Sequence, residues 1–102
     1  MRLTIENKPK LEVFVSIFQL LKNWSSHINI HFEKDKLYIQ SMDNSHICLA
    51  DIEINSTWFS SFDCPNSNAV SVDSGQFALL INYALKHDKL ELKYEDEHEL
   101  PI

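Results

Sequence analysis

Glycine, proline and cysteine are scarce in this sequence, which holds one, three and two of them among 102 residues. A single glycine, Gly75, rules out both common phosphate-cradling loops, because each needs at least two glycines at fixed spacing. So little glycine and proline also excludes collagen-like and low-complexity chains. Cys48 and Cys64 lie far apart without C-x-x-C spacing, which favours two free thiols over a disulfide or a zinc site.

Long apolar runs and a basic excess are missing as well. No stretch approaches the roughly 20 apolar residues of a membrane span, and the first residues lack the apolar core of a signal peptide, so we expect an intracellular protein. The formal net charge is −6 at pH 7, and residues 95–102 contain acids but no base. This acidic run could hold a cation but is more typical of a solvated turn. The sequence is not an obvious nucleic-acid binder, because phosphate contacts normally need a basic patch.

The remaining composition is that of a globular protein. Hydrophobic residues make up 44% of the chain and charged residues 24%, which are ordinary values for a soluble domain. A chain of 102 residues is long enough for one hydrophobic core and too short for two. We therefore treat residues 1–102 as a single domain.

Two hydrophobic periodicities alternate along the chain. Apolar residues at every second position predict strands over 2–6, 27–32, 37–40, 46–55, 69–72 and 89–95, with a further short strand near 62–64. Helical spacing predicts helices over 10–24 and 77–86, and Asp73 and Gln76 are placed to cap the second. Because the order lacks regular βαβ units, it indicates an α+β domain with an antiparallel sheet.

The first predicted helix has a wide apolar face. Its members are Leu11, Phe14, Phe18 and Leu21, flanked by Val13, Ile17 and Leu20. This spacing predicts a helix packed on an apolar layer, with a neutral polar stripe turned to water.

The predicted strand 46–55 has apolar residues at the start of both faces. One face is formed by Cys48, Ala50, Ile52 and Ile54. The opposite face begins with Ile47 and Leu49 and ends in charged residues. Because a half-buried strand does not usually expose such side chains to water, we expect a covering segment or a docking partner at Ile47 and Leu49.

Two groups of residues resemble catalytic or metal sites. Asp43, Ser45 and His46 are the residue types of a hydrolase triad, but residues so close in sequence rarely reach triad geometry, and no G-x-S-x-G elbow accompanies them. His27 and His31 fall on a predicted strand, about 13 Å apart at the usual rise, which is too far to share a metal. We therefore predict a protein that is not an enzyme and that has no catalytic residues, no metal and no cofactor.

The most distinctive segment runs from Leu37 to Leu49, with the sequence Leu-Tyr-Ile-Gln-Ser-Met-Asp-Asn-Ser-His-Ile-Cys-Leu. It resembles the signature of the eukaryotic sliding clamp, the proliferating cell nuclear antigen family, in which a strand ends in a Gln-Ser-Met-Asp-Ser-Ser-His run. The likeness continues through Phe59, Phe62 and Cys64 and reaches the predicted strand at 89–95. It covers nearly the whole chain and fits the N-terminal domain of a divergent or viral member.

The resemblance implies a non-enzymatic DNA clamp whose two helices pack on one face of the sheet. In the full-length family a trimeric ring encircles duplex DNA and tethers DNA polymerase and other clamp-binding proteins, in the nucleus or at a viral replication site. Partner peptides insert a hydrophobic plug, and by position the residues that would meet it are Met42, His46, Ile47 and Leu49. The alternative is that another segment of the same chain covers these residues.

The family also presents lysines from its helices to the DNA backbone. By position, the residues that would face DNA here are Lys22, Lys10, Lys8, Asn82 and Lys86. The basic character is reduced, because Val15 and Ser16 stand where a lysine pair is expected and Leu79 stands at a lysine position of the second helix. Fewer phosphate contacts predict weaker DNA binding.

Compared with the family pattern, the sequence does not reach the last edge strand of the first domain, the connector loop or the second domain. This chain alone is therefore not expected to build the ordinary ring. Two functions follow from the sequence. The first is a sliding-clamp domain that acts as a DNA polymerase processivity factor. The alternative is a stand-alone peptide-binding module of clamp fold that does not encircle DNA, suggested by the near-neutral helix faces and the acidic terminus.

Overall fold

The structure is a computed structural model that describes residues 1–93. Its strands are β1 (Arg2–Ile5), β2 (His27–Phe32), β3 (Lys36–Met42), β4 (Leu49–Asn55), β5 (Ser61–Asp63), β6 (Asn68–Asp73) and β7 (Leu90–Lys93). Its helices are α1 (Lys8–Trp24) and α2 (Ser74–Asn82), with 3-10 turns at Ser56–Trp58 and Tyr83–Lys86. Within these residues, no helix combines the length and apolar character needed to cross a membrane. The predicted strand end at 94–95 and the acidic run 95–102 lie outside the described residues.

The strands form two antiparallel sheets. One sheet has four strands in the order β4-β3-β2-β6, and the other has three in the order β5-β1-β7. The predicted α+β fold with antiparallel pairing is confirmed, but β1 pairs with the later strands β5 and β7 and not with the central hairpin. Alternation of apolar residues shows which face of a strand is buried but does not show which strand it pairs with. The sequence therefore could not show that the strands form two sheets and not one.

Helix α1 lies over a core shared by both sheets. Phe14 and Phe18 are almost fully buried, and their ring centroids are 5.1 Å apart. The ring centroids of Phe14 and Phe59 are 6.1 Å apart, and those of Phe18 and Phe77 of α2 are 4.9 Å apart. Such aromatic pairs add to the stabilisation from burial alone. The α1 aromatics therefore hold α2 and the turn before β5 against one core.

Both helices begin with a side-chain cap. The Asn7 side chain accepts a hydrogen bond from the backbone N–H of Lys10 at 3.0 Å, and Pro9 lies in the first turn of α1. The Asp73 side chain accepts from the backbone N–H of Gln76 at 2.9 Å, as the sequence predicts. Each cap satisfies an N–H that the helix itself leaves without a partner.

The apolar face of α1 is narrower than the sequence predicts. Ile17 packs at the edge of the core, but Val13 and Leu20 are exposed, so their assignment to the buried face was wrong. Because each helical residue turns by about 100°, Leu20 lies about 200° from the buried Phe18. Val15, placed by the family pattern at a DNA-facing lysine position, is instead part of the core.

Strand β4 begins at Leu49 rather than at His46. The preceding residues form a loop, and Cys48 is exposed instead of lying on the buried face. The reason is local, because the backbone N–H groups of Ile47 and Cys48 donate to the Asp43 carboxylate and not to a neighbouring strand. Further along β4, Ala50 and the two isoleucines after it are half-buried against the core, as predicted.

Two adjacent leucines test this orientation of α1. Leu21 is 4% exposed and Leu20 is 73% exposed. We expect Leu21→Ala to lower the free energy of unfolding by about 2–5 kcal/mol, because it leaves a cavity in the core. The matched variant Leu20→Ala should change it by less than about 0.5 kcal/mol. Urea unfolding followed by circular dichroism measures both, and similar losses for the two would contradict this helix orientation.

Candidate functional site

Two exposed apolar side chains, Met42 and Leu49, lie on the outer face of the four-stranded sheet, and the exposed Ile47 lies in the loop just before β4. We call these three residues the outer patch. Met42 and Leu49 are opposite each other at the end of the β3–β4 ladder. Because side chains alternate along β3, Met42 points away from the core while Ser41 beside it is buried. Met42, Leu49 and Ile47 are 43%, 53% and 81% exposed. Exposed apolar side chains that lie together are candidates for an interaction surface.

The loop of residues 43–48 joins β3 to β4, and the Asp43 carboxylate lies at its centre. Oδ2 accepts the Ser45 hydroxyl at 2.5 Å, while Oδ1 accepts the backbone N–H groups of Ile47 at 2.9 Å and Cys48 at 3.0 Å. The backbone closes the loop as well, with the Asp43 N–H donating to the Cys48 carbonyl at 3.0 Å. The turn requires a φ of 63° at His46, a left-handed conformation that is uncommon for a residue other than glycine.

A second set of hydrogen bonds fastens this loop to the end of α1. The Asn44 backbone N–H donates to the Trp24 carbonyl at 3.1 Å, and the Asn44 side-chain oxygen accepts from the Ser26 N–H at 3.3 Å. The Trp24 indole N–H donates to the Ser41 carbonyl at 3.1 Å. The outer patch is therefore connected to the helix layer through its own loop.

The loop also favours the ionised form of Asp43. The hydrogen bond from Ser45 lowers the pKa of the Asp43 carboxyl below its ordinary 3.8, and the N–H groups of Cys48 and Ile47 act in the same direction. Each of these donors favours the ionised form. At neutral pH the carboxylate is therefore fully charged and able to accept all three hydrogen bonds.

The three residue types of a hydrolase triad do not form one. The Ser45 hydroxyl donates to Asp43, whereas a triad requires the nucleophile to donate to a histidine. His46 is exposed on the loop. Among residues 1–93, no group of histidine, cysteine, aspartate and glutamate side chains is arranged to hold a metal ion.

The residues expected to face DNA lie on and near the helices, and most of the lysines have protein partners. Lys8 pairs with Asp88 at 3.2 Å. Lys10 donates to the Trp58 carbonyl at 2.9 Å and lies 5.3 Å from the centre of that ring.

The other expected DNA-facing residues lie near the C-terminal ends of α1 and α2. Lys86 lies over the Tyr83 ring at 5.4 Å. Asn82 is exposed in the last turn of α2. Lys22 is exposed near the end of α1, and the structure gives it no ion pair within residues 1–93. Lys22 is thus the best placed of these lysines to meet a phosphate.

Apolar side chains also occupy the exposed helix surface, where the sequence had placed Leu79 but not the others. Leu79, Leu80 and Tyr83 are exposed on α2 and its following turn, and Leu20 is exposed on α1. The signal was present, since α2 is apolar nearly all round and a helix of this kind cannot bury every side. No basic side chain lies among the residues of α2 itself.

A groove between α1 and β4 was missed as well. It encloses about 540 Å³ and is lined by Val13, Ile17 and Ile52, with Lys10 and Trp58 at one end. β4 lies at the edge of its sheet in the described part of the chain. Periodicity could not predict the groove, because it depends on which strand ends the sheet.

Comparison with known proteins places this geometry in a family. The sequence-family model described as "Proliferating cell nuclear antigen, N-terminal domain" matches residues 7–101. The chain belongs to the proliferating cell nuclear antigen (PCNA) family. The resemblance carried by the segment from Leu37 to Leu49 is thereby confirmed.

Relatives and solved structures agree with this assignment. The chain is 28% identical over 88 residues to proliferating cell nuclear antigen 2 of Plasmodium falciparum, covering 86% of this chain and 33% of that protein. It is 24% identical over 91 residues to DNA polymerase sliding clamp 3 of Sulfurisphaera tokodaii, covering 89% and 37%. The chain thus spans about a third of the length of these relatives.

Two solved structures show the same fold. The PCNA2–PCNA3 complex from Sulfolobus tokodaii matches with a TM-score of 0.84 at 25% identity, covering 94% of this chain and 38% of the other. PCNA from Thermococcus kodakaraensis matches with a TM-score of 0.80 at 17% identity, covering 92% and 37%. The structure is therefore that of a sliding-clamp domain.

The acid titration of Asp43 tests the loop geometry. Because the pKa of Asp43 is lower in the folded protein than in the unfolded chain, the ionised group stabilises the fold above pH 3.8, and this contribution is lost as the pH falls through the lower, folded pKa. Carbon-13 NMR of the side-chain carboxyl should show a midpoint below 3.8. Ser45→Ala removes the strongest donor and should raise the midpoint. A wild-type midpoint at or above 3.8 would show that the three hydrogen bonds do not form.

Proposed function

We propose that this chain is the N-terminal domain of a DNA sliding clamp and acts, without enzymatic activity, as part of a DNA polymerase processivity factor. The family match over residues 7–101 supports the clamp assignment. The observation that carries the docking function is the outer patch, three exposed apolar side chains at the end of a hydrogen-bonded loop. A clamp of this kind works by holding a partner protein near DNA rather than by chemistry.

The outer patch is suited to a small hydrophobic plug on a partner peptide. Met42 offers a flexible, polarisable surface, and Leu49 and Ile47 offer branched aliphatic groups beside it. Burial of such side chains contributes roughly 25 cal/mol per Å² of apolar surface removed from water. His46 precedes Ile47 in the same loop, is exposed, and would supply a polar group beside the plug. Apolar anchors within a polar rim are the usual arrangement at binding hot spots.

The proposal places DNA on the helix side of the domain, in a trimeric ring formed by the full-length protein. Lys22 is the residue that supports this placement, because its ammonium group is exposed on α1. Contacts of this kind are nonspecific, since they neutralise phosphates and do not reach base edges. Such a protein would act where replication occurs, in the nucleus or at a viral replication site.

A second function is favoured by the helix surface itself. Three of the four lysines expected to face DNA are in contact with Asp88, Trp58 or Tyr83. The exposed leucines of α2 add apolar surface where phosphate contacts would need cations. These features support a stand-alone interaction module that keeps the outer patch and does not encircle DNA.

Charge placed in the outer patch should abolish docking and spare the fold. We expect Leu49→Glu and Ile47→Glu to weaken binding of a fluorescein-labelled peptide that carries one leucine and two phenylalanines as its plug. The loss should be at least tenfold, because a buried carboxylate without a partner is costly. Leu80→Glu, an exposed leucine on the helix side, is the matched control and should bind normally. If the patch variants unfold at markedly lower urea concentration than wild type, these side chains are core and the docking function fails.

Charge reversal at Lys22 tests the DNA side. Lys22→Glu should lower nonspecific binding to a short duplex and reduce the slope of log affinity against log salt by about one. Lys34→Glu, which changes an exposed lysine in the β2–β3 turn, is the matched control. Equal duplex affinity for wild type and Lys22→Glu would remove Lys22 from the DNA surface. Wild-type protein that binds the peptide but no duplex even at low salt would favour the stand-alone module.

A further inference from the structure

Ile47 is the most exposed member of the outer patch, so packing contributes little to its position. At 81% exposure its side chain is mostly surrounded by water. It lies in a loop and not in the β3–β4 ladder, which ends at the pair Met42–Leu49. Because neither the core nor the ladder holds Ile47, its position depends on the loop that carries it.

We propose that Asp43 is the positioning residue of the outer patch, fixing the 43–48 loop so that Ile47 is held ready for the partner peptide. This inference rests on the proposed docking function. Asp43 would act through Ile47 and not by touching the partner, because its two oxygens are already engaged by groups of its own loop.

The first support is the number and type of the hydrogen bonds. One carboxylate accepts the Ser45 hydroxyl and the N–H groups of Ile47 and Cys48, all at 3.0 Å or less. Hydrogen bonds to an ionised acceptor are stronger than neutral ones. The Ile47 N–H is itself one of the donors, so Asp43 fixes the backbone of the very residue that forms the patch.

The second support is the backbone conformation at His46. A φ of 63° is unfavourable for a residue with a β-carbon. Such a conformation persists only where its surroundings determine it strongly. The His46 N–H donates to the Asp43 carbonyl at 2.9 Å, so both the main chain and the side chain of Asp43 hold the turn.

The third support is that the loop is also fixed at its base. Asn44 donates to the Trp24 carbonyl and accepts from the Ser26 N–H, so these two hydrogen bonds hold the base of the loop against the end of α1. Release of Asp43 would then free mainly residues 45–48. A partner peptide would then have to order these residues on binding, and that ordering would weaken its affinity.

The test compares Asp43→Ala with Asp43→Asn in the complete chain. Asparagine keeps one oxygen that can accept the N–H groups of Ile47 and Cys48, whereas alanine keeps none. We expect Asp43→Ala to weaken binding of the labelled leucine–phenylalanine peptide about fivefold to tenfold. Asp43→Asn should recover most of that loss. Asp63→Ala, which removes an exposed carboxylate from β5, is the matched control.

One further measurement and one further variant distinguish failure of the positioning role from failure of the docking function. Amide hydrogen exchange at Ile47 and Cys48 should accelerate in Asp43→Ala and change little in Asp43→Asn. Ser45→Ala, a milder change, should give an intermediate result and covers the case in which Asp43→Ala fails to fold.

Unchanged peptide affinity in Asp43→Ala, with Leu49→Glu still losing binding, would overturn the positioning role alone. Unchanged affinity in Leu49→Glu as well would overturn both this inference and the proposed docking function.

Discussion

The burial of the α1 aromatics is the interaction on which the rest of the structure depends. Phe14 and Phe18 are almost fully buried and connect α1 to the second helix and to the turn before β5. Because a helix with a single apolar face can pack only one way, this contact fixes which side of α1 meets the core. The helices consequently lie on one side of the four-stranded sheet, and the opposite face of that sheet is left open.

The proposed function depends on the separation of the open sheet face from the helix layer. The outer patch lies on the open face of the sheet, and Lys22 lies on the helix layer. A protein that must hold a partner while moving along DNA needs these contacts on different surfaces. The connection between them is short, since the 43–48 loop is hydrogen-bonded to Trp24 and Ser26 at the end of α1.

The helix surface distinguishes this chain from a strongly basic DNA binder. The net charge is −6 and few lysines lie on the helices, so few cations are available for phosphate. Each phosphate contact strengthens binding and increases its salt dependence. Of the lysines expected to face DNA, only Lys22 is without a protein partner within residues 1–93, which predicts weak and readily reversed contact. Weak contact is compatible with sliding when a ring prevents escape, and it is equally expected of a module that does not meet DNA.

The sequence predicted the parts of the fold that local chemistry determines. The Asp73 cap, the β2–β3 hairpin and the buried Phe14 and Phe18 all follow from spacing alone. The exposure of Leu20 did not follow, because an apolar residue at a helix flank is buried only if a neighbouring element reaches it.

At the candidate site, the sequence predicted which apolar residues form the outer patch but did not predict the hydrogen-bonded loop that carries Ile47. The run from Met42 to Leu49 was identified, but His46 and Ile47 were placed on a strand. Alternation of apolar residues cannot reveal that a carboxylate takes the N–H groups of Ile47 and Cys48 out of the sheet. The loop geometry became visible only with the side-chain hydrogen bonds.

The most direct test of the account is an NMR map of where the partner peptide binds. Protein labelled at its methyl and amide groups would be titrated with the unlabelled leucine–phenylalanine peptide, and the shifted resonances assigned. We expect the largest changes at Met42, Ile47 and Leu49, with the α2 methyl groups of Leu79 and Leu80 unchanged. Changes confined to the leucines of α2 would contradict this expectation, because docking would then occur on the side that we propose for DNA.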